Sequence, residues 1–278
     1  MIDLHTHSRR SDGSDSPARI AELAGVAGLT AVALTDHDRL DGIPEAAEAA
    51  ARVGVRLVPG CELSCAWDGG ACHVLVYFVE PGEGPFQDEL AALQDDRARR
   101  NRSMLQALRA AGVPIGDDEL AAEAGGSGAG RPHVAALLVR KGVVSSMQEA
   151  FDLWLGKGRP GYVPKARLSP ADVGLMAARS GGLAALAHPL SLGLDRADLE
   201  GVVRELAEAG FVGLEADYSR YEPEQRLALH RLAATHGLVA TGGSDHHGDY
   251  KPDLRVGVGQ GDLQVPDSSL EELEARLT

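Results

Sequence analysis

Three things are scarce in this chain, and each scarcity excludes a class of protein. Cysteine is sparse: Cys61, Cys65 and Cys72 are all there is in 278 residues. An odd, scattered set does not make a disulfide framework and fits a reducing cytoplasm. Cys61-x₃-Cys65 with Cys72 also lacks the paired Cys-x₂-Cys spacing of a structural zinc site, so packing cysteines are expected. Long apolar runs are missing. The longest, Ala31–Leu34, Val74–Val79 and Leu183–Ala187, fall far short of a bilayer span. No charged segment leads into an apolar one at the start, so neither a membrane partner nor a cleaved leader is expected. Positive charge is in deficit, with 27 Lys and Arg against 41 Asp and Glu and a net charge of −14. That balance argues against DNA-specific binding.

What is present suits a soluble globular protein. Hydrophobic residues make up 44% of the chain, enough for a sizeable core. The length is just under two domains at roughly 150 residues each, or one α/β barrel. Short β-rich runs recur at Ile2–Leu4, Ala31–Leu34, Val55–Val58, Val74–Phe78, Leu183–Ala187, Val212–Glu215 and Leu238–Ala240. Amphipathic helical patterns lie between most of them, among them Pro17–Ala27 after the N-cap Ser16 and Pro44–Val53 before Gly54. Such alternation implies a parallel sheet, open or closed into a barrel. It breaks after about residue 85, where Gln87–Ala111, Glu119–Ala124, Val134–Lys141 and Ser146–Leu155 all read as helices. The expected division is a barrel from 1–85 plus 168–278 and a helical insertion over 86–167. Residues 95–167 carry twelve Lys and Arg against eight Asp and Glu, so a basic segment sits in an acidic chain.

Chemistry-bearing residues follow the strands. The first run leads into His5-Thr6-His7-Ser8 and Asp12, the second into Thr35-Asp36-His37-Asp38, and the third into Gly60-Cys61-Glu62. His73 opens the fourth, His188-Pro189 ends the fifth, and the last leads into Ser244-Asp245-His246-His247. Ligands and catalytic groups gather at the carboxyl ends of parallel strands. Imidazole with carboxylate suits Zn²⁺, Mn²⁺ or Fe²⁺. His5 and His7, two apart on an extended chain, share one face. Nine candidate ligands exceed what one ion takes, so a multinuclear site is expected, with Glu62 as a natural bridge.

Taken together, His5-x-His7, Asp12, Thr35-Asp36-His37-Asp38, Gly60-Cys61-Glu62, Ala187-His188-Pro189 and Ser244-Asp245-x-His247 resemble the motif set of the PHP (polymerase and histidinol phosphatase) family. The resemblance runs from residue 1 to about 250. It implies an α/β fold, a distorted (β/α)7 barrel carrying a small helical insertion, with up to three divalent ions. In that pattern His5, His7, Glu62 and Asp245 hold the first metal. Glu62, His73 and His188 hold the second, and Asp12, His37 and His247 the third. The insertion resembles the branch containing 3′,5′-nucleoside bisphosphate phosphatases and a 5′→3′ exoribonuclease. Arg97-x-x-Arg100-Asn101, Gly130-Arg131-Pro132-His133 and Tyr162-Val163-Pro164-Lys165 carry that part.

The expected reaction is removal of the 3′-phosphate from a nucleoside 3′,5′-bisphosphate, without a phospho-enzyme. Arg100, Asn101, Arg131, His133 and Lys165 are the expected substrate contacts, since guanidinium groups grip phosphate bidentately. His247 and His133 are the candidate acids. Three alternatives use the same ligands: exonuclease action on short RNA ends, a histidinol-phosphate-type phosphatase, or a non-catalytic metal-stabilised module. A monomer is expected. Asp36 and Asp38 read as supporting residues, His246 as solvent-facing or a substrate contact, and His230 and His236 as surface residues.

Overall fold

The computed structural model of the chain describes residues 1–125, 129–164 and 167–277. Seven strands lie side by side in sequence order: β1 (Ile2–Asp3), β2 (Ala31–Leu34), β3 (Arg56–Cys65), β4 (Cys72–Tyr77), β5 (Leu183–Ala187), β6 (Gly213–Tyr218) and β7 (Val239–Gly243). The sheet closes on itself where β1 and β7 run on together. Leu4 N–H donates to Gly242 O, Asp245 N–H to His5 O, and Thr6 bridges His246 in parallel.

The period-2 alternation of each strand sorts its residues into two cores. Ile2, Leu4, Ala31, Ala33, Val58, Leu75, Tyr77, Ala185, Ala187 and Val239 meet one another inside the barrel. Alanine dominates because seven strands leave little room, and the one large side chain, Tyr77, uses its hydroxyl to donate to Leu4 O at 3.1 Å. Val32, Leu34, Val74, Val76, Ala184, Leu186 and Leu214 face outward and take the covering helices. Those helices are α1 (Pro17–Val26), α2 (Ile43–Val53), α7 (Pro170–Arg179), α8 (Arg196–Glu208) and α9 (Pro223–Thr235). They bring Ile20, Ala46, Val173, Leu199 and Leu229 to that layer. Ser16 and Ser169 cap α1 and α7 by accepting the backbone N–H three residues on. Helix α10 (Asp267–Glu274) closes the interior from below with Leu270 and Leu273.

The sheet is not parallel throughout, which corrects the expectation from the alternating pattern. β4 runs antiparallel to both β3 and β5. The reason is the connection: residues 66–71 join β3 to β4, and a parallel return needs a dozen residues or more. β3 also runs on through Pro59-Gly60 as far as Cys65, so Glu62 lies within a strand rather than after one. Pro59 and Gly60 disguise this continuation, because both residues weaken a strand reading. The reversal has a consequence for the site. A residue at the start of an antiparallel strand sits at the same barrel end as the carboxyl ends of its parallel neighbours, and His73 is such a residue.

Between β4 and β5 lie α3 (Pro85–Ala110), α4 (Asp117–Glu123), α5 (Arg131–Arg140) and α6 (Met147–Ala150), the last continued by a wider turn over Phe151–Leu155. They bury a cluster of their own, including Met104, Leu105, Leu108, Leu120, Val134, Leu137, Leu138 and Leu155. α5 starts three residues before the sequence pattern suggests, which places Arg131 and His133 in its first turn.

Candidate metal centre

Nine side chains converge at one end of the barrel: His5, His7, Asp12, His37, Glu62, His73, His188, Asp245 and His247. All but His73 are at least nine-tenths buried. Three groupings bring donor atoms within 4.8 Å of one another: His7, Asp12, His37 and His247; His5, His7 and Asp245; and His37, Glu62 and His73. Glu62 lies between them. Its Oε1 is 2.9 Å from His73 Nδ1 and 3.1 Å from His188 Nε2, while Oε2 is 3.1 Å from His7 Nε2 and 3.3 Å from His37 Nδ1. Oε2 is also 3.4 Å from His5 Nε2, so one carboxylate oxygen addresses two imidazoles and the other three, the arrangement a bridging ligand requires. Buried Nδ1 atoms on His7 and His37 lack a hydrogen bond among the described residues. Imidazole and carboxylate donors in sets of three and four, with lone pairs left over, fit divalent transition ions.

The electrostatics agree with a site built for cations. Burial alone would raise Glu62, Asp12 and Asp245. Surrounding histidines, with Lys251 beside Asp245, instead hold all three well below the usual carboxylate range. Burial pushes His7 down to about 3 and His73 to about 4, so both rings are neutral at physiological pH, the form that can ligate a metal. Burial also works against protonated His5, but the carboxylates of Glu215, Glu62 and Asp245 outweigh it and raise that ring well above 6.5. His188 is likewise raised, by Glu62, Glu215 and Asp245 against burial.

Several residues that hold this cluster carry no sequence signal of their own. Glu215, fully buried within β6, accepts from His188 N–H at 2.6 Å through Oε2 and lies 2.9 Å from His5 Nδ1 through Oε1. One carboxylate thus orients two candidate ligands. Tyr218 donates its hydroxyl to Asp245 Oδ2 at 2.8 Å. Asp36, by contrast, does the supporting work expected of it: it accepts from Ser8 N–H, Ser8 Oγ and Ser11 Oγ, which fixes the loop carrying Asp12. Its pKa is pushed up to about 6 by burial, with those serines opposing. His188 and Asp245 adopt left-handed backbone, at φ 26° and 54°. Such strain costs about 1–3 kcal/mol and persists where surrounding contacts over-determine it. Gly243 makes room for the cluster, since a Cβ there would lie 2.4 Å from His5 Cβ.

The structure relocates other residues. His246 is buried, not solvent-facing: its ring is 2.8 Å from both Leu254 O and Asp15 Oδ2, and its backbone bridges Thr6, beyond β1, at the barrel seam. His230 is half-exposed and pairs with Asp217 at 3.0 Å. The three cysteines pack in the outward core, outside the three groupings.

A cleft of about 380 Å³ opens onto the cluster. Asp12, His37, Glu62, His73, His188 and Asp245 line its floor, and Pro132, Met147, Gln148 and Phe151 form a helical wall. Behind that wall the arginines gather. Arg131 stands over the Phe151 ring at 5.9 Å. Arg97 donates to Asp38 Oδ2 at 2.5 Å. Arg100 is pushed down to about 10 by burial and by Arg131, Arg97 and Arg167, with a buried Nε that has no partner among the described residues. His133 accepts the Gly130 N–H through Nδ1 at 3.1 Å and lies against Tyr250, and its buried Nε2 has no partner among the described residues. Asn101 turns away from the main cleft. It donates to Ala129 O and lines a separate hollow of about 250 Å³ with Arg39, Gln94 and Arg97. Lys165 lies outside the described residues.

Comparison with known proteins gives consistent findings. A model of the PHP domain matches residues 3–112. The chain is 33% identical over 99% of its length to the 3′,5′-nucleoside bisphosphate phosphatase of Chromobacterium violaceum, covering 97% of that protein. It is 31% identical to a 5′–3′ exoribonuclease of Salmonella typhimurium, over 89% of this chain and 85% of the relative. Among solved structures, a protein of Bifidobacterium adolescentis assigned as a metal-dependent phosphoesterase superposes with a TM-score of 0.85 at 30% identity, over 99% of this chain and 96% of the other.

Proposed function

The chain belongs to the PHP domain family of metal-dependent phosphoesterases, and from that premise we propose that it removes the 3′-phosphate of nucleoside 3′,5′-bisphosphates, leaving the 5′-monophosphate. The observation that carries the substrate is the arginine cluster. Burial and then Arg131, Arg97 and Arg167 depress Arg100, burial and Arg167 depress Arg131, and the carboxylate acting on Arg100, Asp38, is already paired with Arg97. Buried like charges without counter-ions are costly, so such a cluster suits an anionic group brought by a ligand. Arg131 stands over Phe151 and precedes Pro132, both in the cleft wall, which supports a second phosphate subsite beside the candidate metal centre. The 31% identical exoribonuclease supports a second reading, in which a 5′-phosphorylated RNA end occupies the same subsite.

His5, His7, Glu62 and Asp245 are proposed to hold one ion, Glu62, His73 and His188 a second, and Asp12, His37 and His247 a third, drawn from Mn²⁺, Zn²⁺ or Fe²⁺. Bound there, divalent ions supply Lewis acidity and lower the pKa of water from about 15.7 towards 7. The protein's own groups divide the remaining work. His247 Nδ1 lies 2.8 Å from Asp245 O, so it carries the proton and leaves Nε2 free to act as a donor atom. That makes His247 a ligand rather than an acid. In neutral His133 the converse holds: Nδ1 accepts from Gly130, so Nε2 carries the hydrogen. Burial keeps this ring below 6.5, so it meets the substrate as a neutral hydrogen-bond donor. Since water is the nucleophile, no serine or cysteine need attack phosphorus, and no phospho-enzyme forms.

The test is phosphate release by Mn²⁺-loaded protein from adenosine 3′,5′-bisphosphate, against 3′-AMP, AMP, histidinol phosphate and a 5′-phosphorylated short RNA. Preference for the bisphosphate over 3′-AMP is expected. Equal turnover of those two overturns the second subsite, and stepwise shortening of the RNA at a comparable rate favours the exonuclease.

A further inference from the structure

Asp245 divides its carboxylate between two tasks. Oδ1 faces the cluster, 3.5 Å from His5 Nε2, 3.5 Å from His7 Nε2 and 3.4 Å from His247 Nδ1. Oδ2 faces the other way and takes two donors, Tyr218 Oη at 2.8 Å and Lys251 Nζ at 2.5 Å. One is enough to orient a carboxylate, and the rigid, largely buried tyrosine is the better suited. The lysine is then surplus to positioning. It stands just beyond the short turn Gly248–Tyr250 that follows His247, with its side chain one-third exposed (32%). That exposed part lines the cleft alongside Asp12, His37, Glu62 and His188. Among the described residues lining the cleft it is the only lysine or arginine.

We propose that Lys251 is a catalytic residue that binds a non-bridging oxygen of the scissile phosphoryl group. An ammonium carries three donors. One is committed to Asp245 Oδ2, which leaves two for the cleft. The floor presents three carboxylates, Asp12, Glu62 and Asp245, and the incoming phosphate adds further negative charge. A fixed cation at the rim offsets part of that charge where it grows on the phosphoryl oxygens in the transition state. The contact belongs to the phosphate being cleaved, not to the second phosphate. The inference therefore rests on the phosphoesterase assignment and on Asp245 as a ligand, but not on the choice of a bisphosphate.

The experiment compares wild type, Lys251→Gln and Lys251→Arg after Mn²⁺ loading. It reads bound metal per chain, melting temperature, affinity for inorganic phosphate by calorimetry, and kcat and KM on two esters. One ester is p-nitrophenyl phosphate, which has only a scissile phosphate; the other is adenosine 3′,5′-bisphosphate. In Lys251→Gln, kcat should fall about 10²–10³-fold on both esters, the scale seen when one preorganised transition-state donor is removed. Phosphate affinity should fall about tenfold or more, as for loss of one charge-assisted hydrogen bond. Metal content and melting should stay at wild-type values, and Lys251→Arg should restore part of kcat. Metal lost in step with activity would make Lys251 a prop for Asp245 and overturn the proposal. So would unchanged kinetics, or a loss confined to KM for the bisphosphate. If wild type shows no bisphosphate preference, the substrate reading fails while the p-nitrophenyl phosphate comparison still stands. If no ester turns over, the phosphate titration decides.

Discussion

At the floor of the cleft each carboxylate is shared among several histidines, whereas Arg100 of α3 and Arg131 of α5 pair with no carboxylate among the described residues, unlike their neighbours Arg97, Arg99, Arg109 and Arg140. Glu62 alone lies within 3.5 Å of His5, His7, His37, His73 and His188. Behind the wall, Arg100 faces Arg131, Arg97 and Arg167 and keeps a buried Nε without a partner among the described residues. The first region has charge of both signs and an excess of lone pairs, so it is complete once cations arrive. The second has donors in excess, so it is complete once an anion arrives. One site with two opposite deficits is what a phosphoester carrying a second phosphate would fill at both ends.

The largest effect that can break this comparison comes from the shared carboxylate. Glu62→Ala removes the group common to the histidine pairs. Losing the Lewis-acid contribution, several kcal/mol, corresponds to a fall in kcat/KM of about a thousandfold or more. Metal analysis should show fewer bound ions, with the far-ultraviolet spectrum unchanged. A variant that keeps its metal and loses activity would assign Glu62 a different role. The arginine region should respond differently. Arg100→Ala or Arg131→Ala removes charged hydrogen bonds worth about 1.5–3 kcal/mol, which is about 10- to 100-fold. That loss should appear as a higher KM for the bisphosphate, with p-nitrophenyl phosphate nearly unaffected. Equal losses on both esters would dissolve the distinction between the two regions.

The two regions also differ in how far the sequence discloses them. Most of the floor was legible because barrel topology does the assembly: polar residues that follow strands must converge at one end, so His5, His188 and Asp245 need no knowledge of side-chain geometry. His73 escapes that rule, since it opens its strand, and only the reversal of β4 puts it at the right end. The supports were not legible. Glu215 closes the apolar run Val212–Glu215 like any polar residue at a strand end, although β6 continues to Tyr218, and its partners lie 210 and 27 positions away. Tyr218 and Lys251 have no motif either. On the helical wall, spacing gave helices but not their orientation, so Arg100 and Asn101 read alike as substrate contacts and Arg97 only as part of their motif. The structure points Asn101 towards Ala129 and Arg97 towards Asp38. Arg167, beyond the quoted motifs, joins the cluster through the return towards β5.

The smallest predicted effect sharpens the comparison because it asks what the floor does before cations arrive. Without metal, His5 and His188 are raised above 6.5, against burial, by Glu215, Glu62 and Asp245. Their protonation stabilises the metal-free fold at low pH, and that contribution is lost as pH rises through their raised values. Metal needs neutral imidazole, so its binding must displace those protons. Affinity for Mn²⁺ should therefore increase with pH above 6.5, by about tenfold per pH unit for each proton released. Glu215→Gln keeps the shape but has one carbonyl oxygen where two acceptors were used, for His188 N–H and for His5 Nδ1–H. Metal affinity at pH 7.5 should fall about tenfold, the lower end of the range for residues that orient ligands. The pH dependence should also become shallower, because without the Glu215 charge burial lowers the His5 ring. Titrations of wild type and variant with Mn²⁺ at pH 6.5, 7.5 and 8.5 read both quantities. Parallel slopes would mean that Glu215 sets only the geometry of His5, and that the protons displaced by the metal come from elsewhere in the cluster.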